Sequence, residues 1–192
     1  MVESPLIILD RDGVINHDSD DYIKNEEEWF PLAGSIEAIS NLSQAGFTVC
    51  VATNQSGLGR GLYDEYALAR MHGLMCSLVE DAGGTINGIF YCPHTPSDNC
   101  QCRKPATGLL DQIESQFNKP VKGSWFVGDT QKDIGAALAK GCKPILVLTG
   151  KGSYTRDTMA VEALENIPVF DDLFSAAMFI IADQENLSAS GN

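Results

Sequence analysis

Five short apolar runs alternate along the chain with stretches in which apolar residues recur at helical spacing. The short runs predict strands buried on both faces, because each has only four or five residues and ends at turn-forming residues. They cover residues 5–9, 47–51, 88–91, 124–127 and 144–148. The helical stretches cover residues 35–45, 63–82, 109–117, 132–140 and 171–182. This alternation predicts an α/β fold with a Rossmann-like, mostly parallel sheet sandwiched by helices.

Length and composition indicate one domain. The chain has 192 residues, of which 44% are hydrophobic, and this is close to the usual size of a single domain. We expect the domain to span residues 1–182 and a polar tail to follow at 183–192. The N-terminus has no basic segment followed by a long apolar one, and every apolar run is too short to cross a membrane. We therefore expect a cytoplasmic monomer with no membrane partner.

The net charge restricts the partners of the protein. A formal charge of −13 repels polyanions, and the sequence contains no run of lysine or arginine. Binding to a nucleic acid is therefore disfavoured. If the protein handles phosphate, it has to concentrate its few cations, or a divalent metal ion, at one site.

The end of the first predicted strand carries two carboxylates. Asp10 and Asp12 lie two positions apart, so their side chains project to the same side, and Gly13 permits a tight turn beneath them. Two carboxylates this close repel each other unless a cation lies between them, and Mg²⁺ prefers such oxygen ligands. A D-x-D pair alone is also typical of a solvated turn.

The end of the second strand carries hydrogen-bond donors. Residues Thr53 to Gly57 offer hydroxyl, amide and backbone N–H groups that suit a phosphate, with Asn54, Gln55 and Ser56 as candidate substrate contacts. Lys104 supplies a point charge for a phosphoryl group. The alternative interpretations are an ordinary strand-to-helix turn and a solvated surface lysine.

A third group of polar residues follows the strand at 124–127. Asp129 is placed to complete a metal site, while Thr130 and Asp133 lie at the start of the next helix. Helix capping by Asp129 or Thr130 is the alternative interpretation. The role of Asp133 stays open.

A cluster of thiols and one imidazole lies between residues 92 and 102. Cys92, His94, Cys100 and Cys102 match the ligand set of a closed tetrahedral zinc site. A chance cluster of reduced thiols and a disulfide are the alternatives. A structural zinc ion would anchor a segment that is too polar to pack into a core, and it would position Lys104, which follows directly.

The order D-x-D-G, strand-T-N, K-P and strand-G-D-x-x-x-D resembles the haloacid dehalogenase superfamily of phosphotransferases over nearly the whole chain. The resemblance implies that Asp10 attacks phosphorus and becomes an aspartyl phosphate, while Asp12 acts as acid and then base. It implies that Thr53 and Lys104 hold the phosphoryl oxygens. It also implies that Mg²⁺ is bound by Asp10, the backbone carbonyl of Asp12, and Asp129.

The cysteine-rich loop resembles the zinc-loop subgroup of that superfamily, which has a minimal cap. The subgroup contains phosphatases of D-glycero-D-manno-heptose 1,7-bisphosphate and of histidinol phosphate. We favour a heptose bisphosphate, because Arg103 adds a second cation for a second phosphate and the polar loop with Asp18 and Tyr22 is suited to sugar hydroxyls. We also expect Thr130, which stands where some heptose enzymes carry a lysine, to contact the substrate. A histidinol-phosphate phosphatase and a zinc-stabilised, non-catalytic binding module are the alternatives.

Overall fold

The computed structural model describes residues 4–190, with side chains described as far as Asn186. The strands are β1 (Leu6–Leu9), β2 (Thr48–Asn54), β3 (Gly88–Cys92), β4 (Trp125–Gly128), β5 (Lys143–Val147) and β6 (Val169–Phe170). The helices are α1 (Ser35–Gln44), α2 (Ser56–Gly59), α3 (Glu65–Asp81), α4 (Gly108–Phe117), α5 (Gln131–Ala139), α6 (Gly152–Thr158), α7 (Val161–Leu164) and α8 (Leu173–Ser190). A short 3₁₀ turn covers Pro96–Asp98.

The strands within residues 4–190 form one sheet in the order β3-β2-β1-β4-β5-β6. Each pair of neighbours in this sheet is parallel, which confirms the predicted fold class. The chain builds the sheet outward from β1 to β3 and then returns to add β4, β5 and β6 on the other side. The strand order therefore reverses between β1 and β4, and ligands of such sheets bind beyond the strand ends at this point.

The sheet separates two apolar cores. Side chains of β1 alternate between them: Ile7 and Leu9 belong to the core beneath α1, α3 and α8, whereas Leu6 and Ile8 belong to the core beneath α4 and α5. Successive residues of a strand point to opposite faces. This two-sided burial is the physical reason for the uninterrupted apolar run at the N-terminus.

Several boundaries differ from the sequence-based prediction. The last helix continues to Ser190, so the stretch expected as a polar tail from residue 183 is largely helical, and residues 191–192 lie outside the described residues. This stretch is rich in polar residues, so hydrophobic periodicity does not detect the end of the helix. The strand expected at 47–51 runs from Thr48 to Asn54.

Four strands and helices were missed. They are β6, with two residues, and the short helices α2, α6 and α7. Each lacks an apolar run long enough to show a period.

Among residues 4–190, no helix combines the length and the apolar character that a membrane crossing requires.

The burial of α1 predicts how much a truncated core side chain lowers the free energy of unfolding. Leu42 lies on the buried face of α1 and is completely buried. Leu42→Ala should lower the free energy of unfolding by about 2–5 kcal/mol in urea denaturation, because a cavity replaces lost contacts. Val161→Ala, at a position that is 80% exposed, is the matched control and should change it by less than about 0.5 kcal/mol. Equal effects of the two substitutions would contradict the assignment of Leu42 to the core.

Candidate active site

A polar cavity of about 310 Å³ lies at the carboxyl ends of β1, β2 and β4. The side chains predicted to serve catalysis, substrate binding and magnesium binding all line this one cavity. They are Asp10, Asp12, Asp18, Tyr22, Thr53, Asn54, Gln55, Ser56, Arg103, Lys104, Asp129 and Thr130. The sheet brings them together from segments more than a hundred residues apart, because parallel strands end at the same edge.

The turn after β1 allows two acidic segments to approach closely. Backbone N–H groups of residues 14–16 donate to the carbonyl oxygen of Arg11, and Gly13 has φ +82°. A Cβ atom on Gly13 would lie 2.2 Å from Oδ2 of Asp129. Only glycine fits here, both for its left-handed conformation and for this contact.

Lys104 lies buried beneath the carboxylates, with 2% of its side chain exposed. Its Nζ atom is 2.9 Å from Oδ1 of Asp10 and 2.6 Å from Oδ1 of Asp133, and it donates to the carbonyl oxygen of Ala52 at 2.7 Å. Burial opposes its charge, but Asp10 and Asp133 outweigh burial and raise the pKa of Lys104. The lysine is therefore a fixed cation beside Asp10.

Asp133 has two contacts that its sequence position alone did not reveal. Its Oδ2 atom accepts hydrogen bonds from the N–H group (3.0 Å) and the hydroxyl (2.6 Å) of Thr130, which is the N-cap of α5. Its Oδ1 atom binds Lys104. The spacing T-x-x-D is the signal that indicates this reciprocal cap. Thr130 lines the cavity as expected, but its hydroxyl is directed to Asp133.

Three buried carboxylates form a site that fits a divalent cation. Asp10, Asp129 and Asp133 each offer an oxygen atom within 4.8 Å of the others. Burial, followed by repulsion from neighbouring carboxylates, raises the pKa of Asp10 to about 7 and that of Asp129 to about 8. Oδ1 of Asp129 is buried and has no hydrogen-bond partner among the described residues. An oxygen left without a donor in this position suits a metal ion such as Mg²⁺.

Asp12 is held differently from Asp10. Its carboxylate accepts hydrogen bonds from Arg11 at 2.8–3.0 Å, from Asn16 at 2.9 Å and from Gln55 at 2.8 Å. Burial raises its pKa, but the charge of Arg11 and these hydrogen bonds outweigh burial and lower it. The two aspartates that a D-x-D motif treats alike thus have opposite pKa shifts, because only Asp12 pairs with an arginine.

The residues after Thr53 make contacts within the protein as well as lining the cavity. The amide of Asn54 accepts from the backbone N–H of Lys104 at 3.0 Å and donates to its carbonyl oxygen at 3.1 Å. Gln55 donates to both Asp12 and Thr53 at 2.8 Å. Ser56 begins the short helix α2. Asn54 and Gln55 therefore also orient the predicted catalytic groups.

The rim of the cavity carries charges from three loops. Arg103 donates to the carbonyl oxygen of His94 at 3.2 Å, and Tyr22 is half-buried with φ +64°. Asp18 is 3.2 Å from the Nζ atom of Lys151, a cavity residue that sequence reasoning missed. The backbone N–H of Lys151 donates to Oδ2 of Asp129 at 2.8 Å. No motif around Lys151 indicates that it lines the cavity, because only folding brings it there.

The four predicted zinc ligands form a separate group beside the cavity. The sulfur atoms of Cys92, Cys100 and Cys102 lie 3.2–3.6 Å apart, and Nδ1 of His94 is 3.3 Å from Cys102 and 3.6 Å from Cys92. A tetrahedron with ligand atoms about 2.1–2.3 Å from its centre has edges of roughly 3.4–3.8 Å. The observed separations lie within or just below this range, so the four donor atoms are close enough to share one zinc ion.

Comparisons with known proteins agree with this geometry. A family model described as HAD-hydrolase-like matches residues 101–176. The D-glycero-beta-D-manno-heptose-1,7-bisphosphate 7-phosphatase of Neisseria meningitidis is 51% identical over 181 residues, which are 94% of this chain and 96% of that protein. The enzyme of the same name from Pseudomonas aeruginosa is 52% identical over 176 residues, which are 92% of this chain and 97% of that protein.

A solved structure extends the agreement to the fold. The D,D-heptose 1,7-bisphosphate phosphatase from B. bronchiseptica, complexed with magnesium and phosphate, superposes with a TM-score of 0.89 at 43% identity, covering 93% of this chain and 99% of that one. Relatives about half identical to the chain therefore match nearly all of it. The chain belongs to the haloacid dehalogenase-like hydrolases, in the family of the heptose 1,7-bisphosphate 7-phosphatases, and it is a phosphatase.

Proposed function

We propose that the protein hydrolyses the C7 phosphate of D-glycero-D-manno-heptose 1,7-bisphosphate, with Mg²⁺ and through an aspartyl phosphate on Asp10. The observation that carries this proposal is the position of Asp10, which lies at the cavity floor 2.9 Å from a buried lysine. Relatives named for this activity match 92–94% of the chain. Because the chain is a phosphatase, the alternative of a non-catalytic binding module is set aside.

In the first step, a carboxylate oxygen of Asp10 attacks phosphorus, and the bond from phosphorus to the C7 oxygen breaks. Lys104 reduces the repulsion between the two anions, and the hydroxyl of Thr53 donates to a phosphoryl oxygen. Asp12 gives its proton to the leaving C7 oxygen. The incoming phosphate dianion raises the proton affinity of Asp12 and thereby opposes the effect of Arg11.

In the second step, a water molecule attacks phosphorus and gives a proton to Asp12. The bond between phosphorus and Asp10 breaks, and the carboxylate is regenerated as inorganic phosphate leaves. Asp12 is already a carboxylate after giving its proton to the C7 oxygen, and its lowered pKa keeps it in this form until the water attacks. Asp12 therefore serves both steps.

The residues proposed to hold magnesium are Asp10, Asp129 and the backbone carbonyl of Asp12. The chemistry that bound Mg²⁺ supplies there is polarisation of the phosphoryl oxygens and screening of the carboxylates. Asp133 remains with Lys104, since one of its oxygens forms an ion pair with that lysine and the other accepts hydrogen bonds from Thr130.

The loop of residues 92–102 is proposed to hold one structural zinc ion. Its four donor atoms leave no open position for water, which is typical of structural sites. Three thiolate ligands require a reducing compartment, so the zinc proposal and the expected cytoplasmic location support each other.

The substrate is tested by direct comparison of two phosphate esters. With Mg²⁺, phosphate release from the heptose bisphosphate should have a kcat/KM about 100-fold higher than that from histidinol phosphate, and the product should keep its C1 phosphate in phosphorus NMR. Asp10→Asn is the control and should lower kcat by about a thousandfold or more while remaining folded. A reversed preference would assign the chain to histidinol phosphate instead.

The magnesium site should depend on pH. Mg²⁺ binds the ionised carboxylates, and the pKa values of Asp10 and Asp129 are about 7 and 8, so protons compete with the metal below these values. The apparent Kd for Mg²⁺, measured by calorimetry, should therefore rise as the pH falls from about 8 to about 6. Asp129→Asn should bind Mg²⁺ weakly throughout. A wild-type Kd that is constant over this range would contradict the proposed ligands.

The zinc site is tested with two cysteine substitutions. The purified protein should contain about one zinc ion per chain by elemental analysis. Cys100→Ser should lower the zinc content and the Tm, because the fourth ligand is lost. Cys76→Ser, at a half-buried position on α3 outside the cluster, should leave the zinc content unchanged. Full zinc occupancy in Cys100→Ser would refute the assignment.

A further inference from the structure

A network of polar side chains lies behind Asp12 and Thr53, and it includes two residues to which catalysis has given no role. Gln55 and Arg11 form its centre, with 3% and 1% of their surfaces exposed. Tyr63, which precedes α3, contacts Gln55, and His72, on α3, contacts Arg11. Gln55 and Arg11 in turn contact Asp12, and Gln55 also contacts Thr53.

Gln55 uses its whole hydrogen-bonding capacity. Its amide nitrogen donates to Asp12 and to Thr53, each at 2.8 Å, and its oxygen accepts from Tyr63 at 2.7 Å and from Arg11 at 3.1 Å. A flipped amide would place its NH₂ group against the N–H groups of Arg11 and its oxygen against the Asp12 carboxylate. The network therefore fixes one orientation of the amide.

This orientation determines the direction of the Thr53 hydroxyl. The oxygen of Thr53 accepts a hydrogen bond from Gln55, so its own proton is available for another acceptor. Only 1% of the surface of Thr53 is exposed, and the residue lines the cavity. A phosphoryl oxygen bound in the cavity would accept this proton. Gln55 thus couples the phosphate-binding hydroxyl to the acid/base carboxylate.

Tyr63 is built into the structure as a donor to Gln55. Its ring packs against Gly57, where an added Cβ would lie 2.4 Å from the ring. Burial raises the pKa of Tyr63 to about 12, so the hydroxyl keeps its proton at neutral pH. The hydrogen bond of 2.7 Å runs from tyrosine to amide and holds the Gln55 oxygen in place.

His72 is the corresponding acceptor for Arg11. The Nη1 atom of Arg11 lies 3.4 Å from Nε2 of His72, and an arginine has only donors, so Nε2 must accept. Burial, followed by the charge of Arg11, lowers the pKa of His72 to about 3, which keeps the ring neutral. The imidazole therefore fixes the end of the guanidinium opposite to Asp12.

We propose that Tyr63 and His72 are positioning residues for the phosphatase reaction, acting on Asp12 and Thr53 through Gln55 and Arg11. This inference rests on the proposed function and adds to it the residues that set the orientation of the acid/base and of the phosphate donor. Tyr63 holds Gln55 and His72 holds Arg11, so loss of either removes the support of one of the two residues that orient Asp12.

Single substitutions that remove one hydrogen bond each test the proposal. Tyr63→Phe keeps the ring and removes the donor, and His72→Leu keeps an apolar side chain and removes the acceptor. Each should lower kcat about tenfold and leave KM within about twofold, because ground-state binding is retained while the reacting groups lose their orientation. His72→Gln offers an acceptor at a similar distance along the side chain and should recover most of kcat.

The controls separate positioning from stability and from substrate identity. Tyr66→Phe removes a hydroxyl from a side chain that is 70% exposed in the same segment and should retain wild-type kcat. The Tm of each variant is measured, and assays use both the heptose bisphosphate and glycerol 3-phosphate at saturating Mg²⁺. Unchanged kcat in Tyr63→Phe and His72→Leu, or a rise in KM alone, would overturn the proposal.

Different results would refute the proposed substrate and the proposed positioning roles. If the wild-type protein hydrolyses glycerol 3-phosphate but not the heptose bisphosphate, the proposed substrate is wrong. The same variants then still test positioning on the simpler ester, because the network supports Asp12 and Thr53, which are proposed to act on the phosphoryl group of either ester. A kcat that falls only in proportion to the loss of folded protein, without recovery in His72→Gln, would make both residues structural and would refute the inference.

Discussion

The site depends on one constraint, which is that Asp10, Asp129 and Asp133 are buried together without enough positive charge from the protein. Lys104 lies between Asp10 and Asp133 at 2.6–2.9 Å and balances one negative charge. Removing carboxylates from water is costly unless they are paired, and the raised pKa values of Asp10 and Asp129 express the remaining cost. A site of this kind attracts a divalent cation, which would offset the negative charge of the carboxylates and of an incoming phosphate alike.

The position of Lys104 in turn depends on the cysteine-rich loop. The lysine follows Cys102 by two residues, and its backbone is held on both sides by the amide of Asn54. The N–H group of Gln55 donates to the carbonyl oxygen of Cys92 at 2.7 Å. The end of β2 and the two ends of the loop therefore form one hydrogen-bonded unit. In such a unit, an ion bound by the loop would also fix the position of Lys104 beside Asp10.

The parts of this molecule that the sequence predicts are those that follow a period or a fixed spacing. Apolar runs such as Leu6–Leu9 identify buried strands, and parallel strand ends bring Asp10, Thr53 and Asp129 to one cavity. Elements without such a pattern escape prediction: β6 has two residues, and the polar half of α8 has no apolar stripe. Boundaries thus fail where tertiary packing, and not local pattern, decides the structure.

Residues that orient other side chains of the site cannot be predicted from a single sequence either. Lys151 reaches the cavity only because its loop packs against Asp129, and His72 resembles an ordinary core histidine until Arg11 is found at its Nε2 atom. Sequence motifs report the groups that touch the substrate, since those groups have fixed chemistry. The direction of each donor and acceptor is set by partners from distant segments. In a site where Asp10 and Asp12 have opposite pKa shifts two residues apart, these partners distinguish the proposed nucleophile from the proposed acid/base.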